Sequence, residues 1–167
     1  MITVKQVQTE EDYQQCLDIR RKVFIEEQNI SERDEVDSYE KEALHFLATL
    51  NAKPVATGRI RIKGSFMKFE RVATLKEARG KGIASALMKE MERVSSEKHP
   101  AYLMAMHAQT SAIPFYLKLG WVAVGPIFVE AEIEHQLMIF PPKDSKGLKC
   151  LSDPNCPQAV LDYFSRL

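Results

Sequence analysis

The feature that most restricts the fold is a change of apolar period across residues 76–82. Before it, Leu44–Leu50, Val55–Ile62 and Met67–Ala73 read as strands. Short turns at Asn51-Ala52-Lys53-Pro54 and Lys63-Gly64-Ser65 join them into an antiparallel meander. After it, Ile83, Leu87, Met91 and Val94 mark one face of a helix that stops near His99-Pro100. The hinge between the two regimes, Lys76–Gly82, is polar and carries two glycines.

The rest of the chain follows the same alternation. Thr9 before Glu10, Glu11 and Asp12 is an N-cap with an acidic first turn. Tyr13, Cys16, Leu17, Arg20 and Phe24 continue at helical spacing, and this helix is expected to end near Gln28-Asn29. Ala101–His107 is an apolar strand, which suggests a buried central position. Ser111–Leu119 is a short helix with Pro114 in its first turn and Gly120 as its C-terminal cap. Trp121–Phe128 and His135–Phe140 are two more strands. The order predicts an α/β chain of the mixed-sheet (α+β) kind, with helices on the sheet faces. Residues 1–140 form the domain. Residues 141–167, which begin at Pro141-Pro142-Lys143, are a C-terminal extension whose Val160, Leu161, Phe164 and Leu167 can pack on it.

Composition excludes several classes. With 167 residues, 45% hydrophobic and 28% charged, the chain suits one folded domain. A formal net charge of zero argues against a dedicated nucleic-acid binder. The N-terminus reads as no secretory signal, and no apolar run is long enough to span a bilayer. Cys16, Cys150 and Cys156 do not form a disulfide framework, so a cytoplasmic protein is expected. His45, His99, His107 and His135 show no ligand spacing, so no metal is expected.

Arg79-Gly80-Lys81-Gly82-Ile83-Ala84-Ser85 joins a loop to a helix N-terminus. Free N–H groups and the helix dipole favour an anion there, and Arg79 and Lys81 add charge. The residues do not supply the Walker spacing. Ser85 stands where a dinucleotide fingerprint needs its third glycine, and Ala101–His107 carries no acid. The pattern (R/Q)-x-x-G-x-(G/A) does fit, through Arg79, Gly82 and Ala84. It resembles the pyrophosphate loop of the GNAT superfamily of N-acetyltransferases.

Flanking segments strengthen the resemblance. Phe69-Glu70-Arg71-Val72-Ala73-Thr74 is similar to the family's cofactor strand, and Ala112-Ile113-Pro114-Phe115-Tyr116 through Gly120-Trp121 to its following helix and strand. Arg20-x-x-Val23-Phe24-x-x-Glu27-Gln28, Glu35-x-Asp37-x-Tyr39 and Ile133-Glu134-His135-Gln136-Leu137-Met138 resemble the ElaA-like branch. The likeness covers residues 1–140 and does not explain the extension. Ala84 for the commoner glycine and Thr74 for a valine are mild departures.

The resemblance implies a GNAT-like fold, a mostly antiparallel central sheet flanked by helices. It implies acetyl transfer from acetyl-CoA to a primary amine by direct attack in a ternary complex. It gives Tyr116 as general acid, a backbone N–H at Val72 or Ala73 for the oxyanion, and a strand, Val72, Ala73 and Thr74, that accepts the pantetheine arm through its backbone. Arg79, Gly80, Lys81, Gly82, Ile83, Ala84 and Ser85 would hold the pyrophosphate, with Gln109, Ala112 and Phe115 flanking the arm. The base stays open among Glu70, His107, Glu27, His135 and a water relay. Phe24, Glu27 and His135 are the expected substrate-binding residues.

A small-molecule or peptide amine is the expected partner, with no nucleic acid and no membrane. A homodimer is compatible, two-fold dimers being the commonest assembly. Eight acids between Glu26 and Glu42, against Arg33 and Lys41, suggest either a solvated loop or an acidic side for a cationic amine. An acyl-CoA-binding module without catalysis is the rival reading.

Overall fold

The computed structural model describes residues 1–35 and 37–167, with the side chains of Arg33 and Asp34 outside the description. Among the described residues, seven strands, β1 (Ile2–Gln6), β2 (Leu44–Leu50), β3 (Lys53–Lys63), β4 (Phe66–Thr74), β5 (Leu103–Gln109), β6 (Val122–Glu130) and β7 (Ile133–Phe140), run in the order β1-β2-β3-β4-β5-β7-β6. The β4–β5 pair is parallel, and the β1–β2, β2–β3, β5–β7 and β6–β7 pairs are antiparallel. The mixed sheet with flanking helices is the architecture that the alternation of periods predicts. The chain divides into two compact units, Met1–Arg61 with Glu70–Val94, and Ile62–Phe69 with Ser95–Leu167.

The first unit holds β1 (Ile2–Gln6), α1 (Glu10–Arg20), α2 (Glu32–Glu35) and β2 (Leu44–Leu50). It also holds most of β3 (Lys53–Lys63), the end of β4 (Phe66–Thr74) and most of α3 (Ile83–Lys98). Thr9 caps α1 as expected, its hydroxyl accepting from the Asp12 N–H at 3.1 Å. Beyond Arg20 the helix widens into a π-helical stretch, Arg21–Glu27, in which the Gln28 N–H reaches back five residues to the Val23 carbonyl at 3.1 Å. Such stretches are rare and cluster at functional sites. Ile83, Leu87, Met91 and Val94 are all buried, so the face of α3 read from its spacing is the one that packs. Gly58 on β3 allows the approach, because a Cβ there would lie 2.7 Å from the Met91 sulfur.

One strand escapes the sequence reading. β1 is only five residues long, and it pairs along β2 from Ile2 opposite Leu50 to Gln6 opposite Phe46. The β2–β3 turn is tighter than its sequence suggests. Asn51 and Ala52 both take positive φ, 50° and 70°, the geometry of a mirror-image hairpin turn.

The second unit holds β5 (Leu103–Gln109), α4 (Ile113–Lys118), β6 (Val122–Glu130), β7 (Ile133–Phe140) and α5 (Gln158–Ser165). Pro114 sits in the first turn of α4, and Gly120 follows it at φ 99°, as the capping argument requires. Trp121 is fully buried, edge-on to Phe69 and Phe140. The C-terminal segment buries Leu148, Cys150, Cys156 and Val160 against Leu103, Ala105, Val124 and Ile139. Two hydrogen bonds pin it, Lys149 N–H to the Ala101 carbonyl at 2.9 Å and the Ser65 hydroxyl to Asp153 at 2.7 Å. All three cysteines are free and buried. No helix among the described residues is long and apolar enough to cross a membrane.

Candidate active site

The glycine turn lies in the first unit, at the start of α3. Gly80 and Gly82 take φ of 77° and 82°, and a Cβ at either would meet nothing within 4 Å. Their requirement for glycine is therefore conformational, since L residues rarely adopt that region. The Gly82 carbonyl accepts the Ala86 N–H at 3.1 Å and so opens the helix. That leaves the first-turn N–H groups, from Gly82 through Ser85, without helical acceptors. Open space above two glycines, a helix N-terminus and the exposed Lys81 together fit a pyrophosphate.

Arg79 is not aimed freely at such a ligand. Its Nε donates to the Thr74 carbonyl at 3.1 Å, and its two terminal nitrogens donate to the two Glu27 oxygens at 2.7 Å each. Arg79 thus ties the loop to the end of β4 and to the π-helical stretch. Glu27, expected to touch substrate or act as base, is an ion-pair partner. Its hydrogen bond from Arg79 holds its carboxyl below the ordinary range despite partial burial. Phe24 packs in the core instead of facing outward.

On β4 the structure weighs against Glu70 as the base. Glu70 accepts from Arg61 Nε at 2.6 Å and from Arg59 at 3.1 Å. Burial raises its carboxyl pKa, but Arg61 and Arg59 outweigh that and hold it below the ordinary value of 4.5. A carboxylate so stabilised is a poor proton acceptor.

Glu70 belongs to a larger buried network that no sequence motif announced. Arg59 also pairs with Asp37 at 2.7 Å and Glu40 at 2.5 Å. Arg20 grips Glu35 at 2.5 Å and Glu40 at 2.7 Å. Arg71 donates to the Glu35 carbonyl at 2.9 Å and to Asp37 at 3.1 Å. The Arg61 guanidinium lies 3.8 Å from the Tyr39 ring centroid. Four guanidiniums therefore meet four carboxylates. Glu35, Asp37 and Glu40 of the acidic stretch are neutralised from inside, which weakens the argument for a negatively charged substrate face. Asp34, counted in that stretch, lies outside the described side chains.

Arg71 has a second peculiarity, a φ of 57° in the middle of a strand. This left-handed residue breaks the regular strand conformation immediately before Val72 and Ala73, where the oxyanion donor is expected. Val72 and Thr74 are half-buried and Ala73 is buried.

In the second unit, Tyr116 is buried on α4, edge-on to Phe115 with centroids 5.1 Å apart. Burial alone pushes its phenol up to about 12, so it keeps its proton across the working range. Ala112 and Phe115 are half-buried on the same short turn, and Gln109 ends β5. His107 is the exposed position in an otherwise buried run of β5. Its Nδ1 lies 3.1 Å from Glu130 Oε2. His135 is buried on β7, with Nδ1 2.7 Å from the Ile133 carbonyl. Glu130 carried no motif signal; the β6–β7 hairpin brings it to His107. Among the described residues, no group of three or more His, Cys, Asp or Glu is placed to hold a metal.

Comparison with known proteins shows the family and the fold. Residues 7–140 match the model of the Acetyltransferase (GNAT) domain. YyaT of Bacillus subtilis (strain 168) is 39% identical over 140 residues, 82% of this chain and 94% of that protein. The uncharacterized N-acetyltransferase YjcF of the same organism is 34% identical over 131 residues, 78% and 93% of the two chains. In fold, the chain is similar to Escherichia coli ElaA, with a TM-score of 0.74 at 21% identity over 83% of this chain and 99% of that one. A GNAT family acetyltransferase from Elizabethkingia anophelis, solved with acetyl-CoA bound, gives 0.58 at 17% identity, over 83% and 94%. The family match and the two Bacillus relatives make the chain a member of the GNAT acetyltransferases, and so an acyl-CoA-dependent N-acyltransferase.

Proposed function

We propose that the protein transfers an acetyl group from acetyl-CoA to a primary amine, by direct attack within a ternary complex. The observation that carries this reading is the turn at Gly80 and Gly82, both at positive φ, opening α3. Its first-turn N–H groups and Lys81 would take the pyrophosphate of acetyl-CoA. The end of β4, with Arg71 at φ 57°, would supply the backbone N–H at Val72 or Ala73 to the carbonyl oxygen as charge develops there. Gln109, Ala112 and Phe115 would flank the pantetheine arm.

Each step has a donor or acceptor in this chain. The neutral amine attacks the thioester carbon, the N–C bond forms and the C–S bond breaks. Tyr116 stands as donor to the departing sulfur. With its phenol at about 12, full proton transfer to a thiolate whose parent thiol has a pKa of about 8.5 would cost roughly 5 kcal/mol. Tyr116 therefore acts as a hydrogen-bond donor, and solvent completes the protonation. Of the candidate bases, His107 is the one that is exposed and held by a carboxylate, so it takes the proton of the attacking amine.

The test is release of free CoA thiol from acetyl-CoA with a panel of primary amines, followed by mass analysis of the acceptor. Amine-dependent release and a mass gain of one acetyl group support the reading. Tight acetyl-CoA binding with no transfer to any amine would favour a binding module instead.

A further inference from the structure

Glu130 is the carboxylate that holds His107, and the second unit places it with four other polar side chains, His107, Gln109, His135 and Lys68, on one sheet face. In the strand register His107 lies opposite Leu137, Gln109 opposite His135, and Phe128 opposite His135. Side chains two apart share a face, so His107, Gln109, Phe128, Glu130 and His135 point the same way. Lys68, opposite Ala105 on β4, joins that face.

The Phe128 ring sits beside both imidazoles. It is edge-on to His107 with centroids 4.9 Å apart, and stacked on His135 at 5.9 Å. Each imidazole is also held at Nδ1, by Glu130 Oε2 at 3.1 Å for His107 and by the Ile133 carbonyl at 2.7 Å for His135. A carbonyl oxygen and an ionised carboxylate only accept, so Nδ1 must carry the hydrogen in both rings. The hydrogen bond from His107 keeps the Glu130 carboxyl at about 2, hence ionised at neutral pH. When neutral, His107 then has its lone pair on Nε2.

We propose that Glu130 is the positioning residue of the base: it holds His107 in the Nδ1–H tautomer, so that Nε2 is the atom that takes the amine proton. The inference rests on the acetyl-transfer reading. In the step, the Nε2 lone pair forms a bond to hydrogen, and the N–H bond of the attacking nitrogen breaks. That nitrogen keeps the electron pair as the amide forms. The resulting imidazolium lies against the Glu130 carboxylate, an arrangement that stabilises the charge as it develops. The other titratable groups around the pair are His135 and Lys68. Glu130 is half-exposed, so its replacement need not disturb the core.

The experiment is long-range proton–nitrogen NMR of histidine-labelled protein, with His107→Gln to assign the resonance, on the wild type, Glu130→Gln and Glu130→Leu. The Gln amide oxygen can still accept from Nδ1–H, whereas Leu cannot. The expected result is an Nε2 lone pair on His107 in the wild type and Glu130→Gln, and a shift toward the Nε2–H form in Glu130→Leu. Glu130→Leu should lower kcat for amine acetylation by about tenfold or more with KM for acetyl-CoA unchanged, and Glu130→Asp should restore most of it. An unchanged tautomer in Glu130→Leu, or an unchanged kcat, would overturn the proposal. If the wild type showed the expected tautomer but acetylated no amine, the acetyl-transfer reading would fail and His107 would lose its role as base. The tautomer assignment would stand on the NMR alone.

Discussion

Glu27 takes both terminal nitrogens of Arg79 at 2.7 Å each, joining the π-helical end of the first helix to the glycine turn that opens α3. The pair is surface-exposed, so its effect on stability is under about 1 kcal/mol. Its effect on binding is larger, because among the described residues Arg79 otherwise keeps its bond to the Thr74 carbonyl alone. Glu27→Ala should weaken acetyl-CoA binding about three- to tenfold by calorimetry and leave the melting temperature nearly unchanged. Tighter binding would mean that Glu27 competes with the phosphates for Arg79.

The arginine–carboxylate network makes stability depend on pH in a definite direction. Burial raises the Asp37 carboxyl, but its hydrogen bonds from Arg59 and the Tyr39 N–H outweigh this and bring it down to about 2 from 3.8. Glu40 and Glu70 are lowered as well, burial again opposing and the arginines winning. Groups lowered in the folded state contribute stability above their ordinary values and lose it as pH falls through the folded ones. Asp37 alone accounts for about 2 kcal/mol. Melting temperatures should hold steady above pH 5 and fall steeply between about pH 4 and pH 2. Glu70→Gln should flatten part of that acid fall.

Removing one member of the network leaves the others buried without a counter-charge. Arg59 is fully buried and contacts Asp37, Glu40 and Glu70, so Arg59→Met should cost about 3–5 kcal/mol in denaturant unfolding. A loss below about 1 kcal/mol would show that the carboxylates find water or protonate at little cost.

The β2–β3 turn offers a stabilising change. Ala52 sits at φ 70°, where an L residue is strained by roughly 1–2 kcal/mol relative to glycine. Ala52→Gly should raise the melting temperature by about 2–4 °C. No change, or a fall, would mean that glycine's extra freedom in the unfolded chain offsets the relief.

The alternation of apolar periods made most of the sheet legible, because the α3 face and the buried β5 run depend on local spacing alone. The Gly80–Gly82 turn was legible for the same reason, as was the Pro114 to Gly120 helix. β1 was missed because five residues pair through the backbone of β2 and carry little pattern of their own. The charge network was not legible because its arginines come from positions 20, 59, 61 and 71, and a local count of acids does not see them. Arg71's left-handed φ has no sequence signature. His107 and Glu130 are 23 residues apart and meet only through the β6–β7 hairpin.

Tyr116→Phe keeps the ring that packs against Phe115 and removes only the donor. It should leave acetyl-CoA affinity and the melting temperature nearly unchanged and lower kcat by about 10²-fold. A melting temperature several degrees lower, with kcat intact, would make Tyr116 a packing residue.

The measurement that tests the central claim most directly is calorimetric titration of the wild type and Gly82→Val with acetyl-CoA, with NADH as control. Gly82 is at φ 82° in open space, so valine strains the turn without filling a core. The account predicts micromolar binding of acetyl-CoA to the wild type, at least tenfold weaker binding to the variant, and no binding of NADH. Equal affinity in the two proteins, or no binding of acetyl-CoA to the wild type, would contradict it.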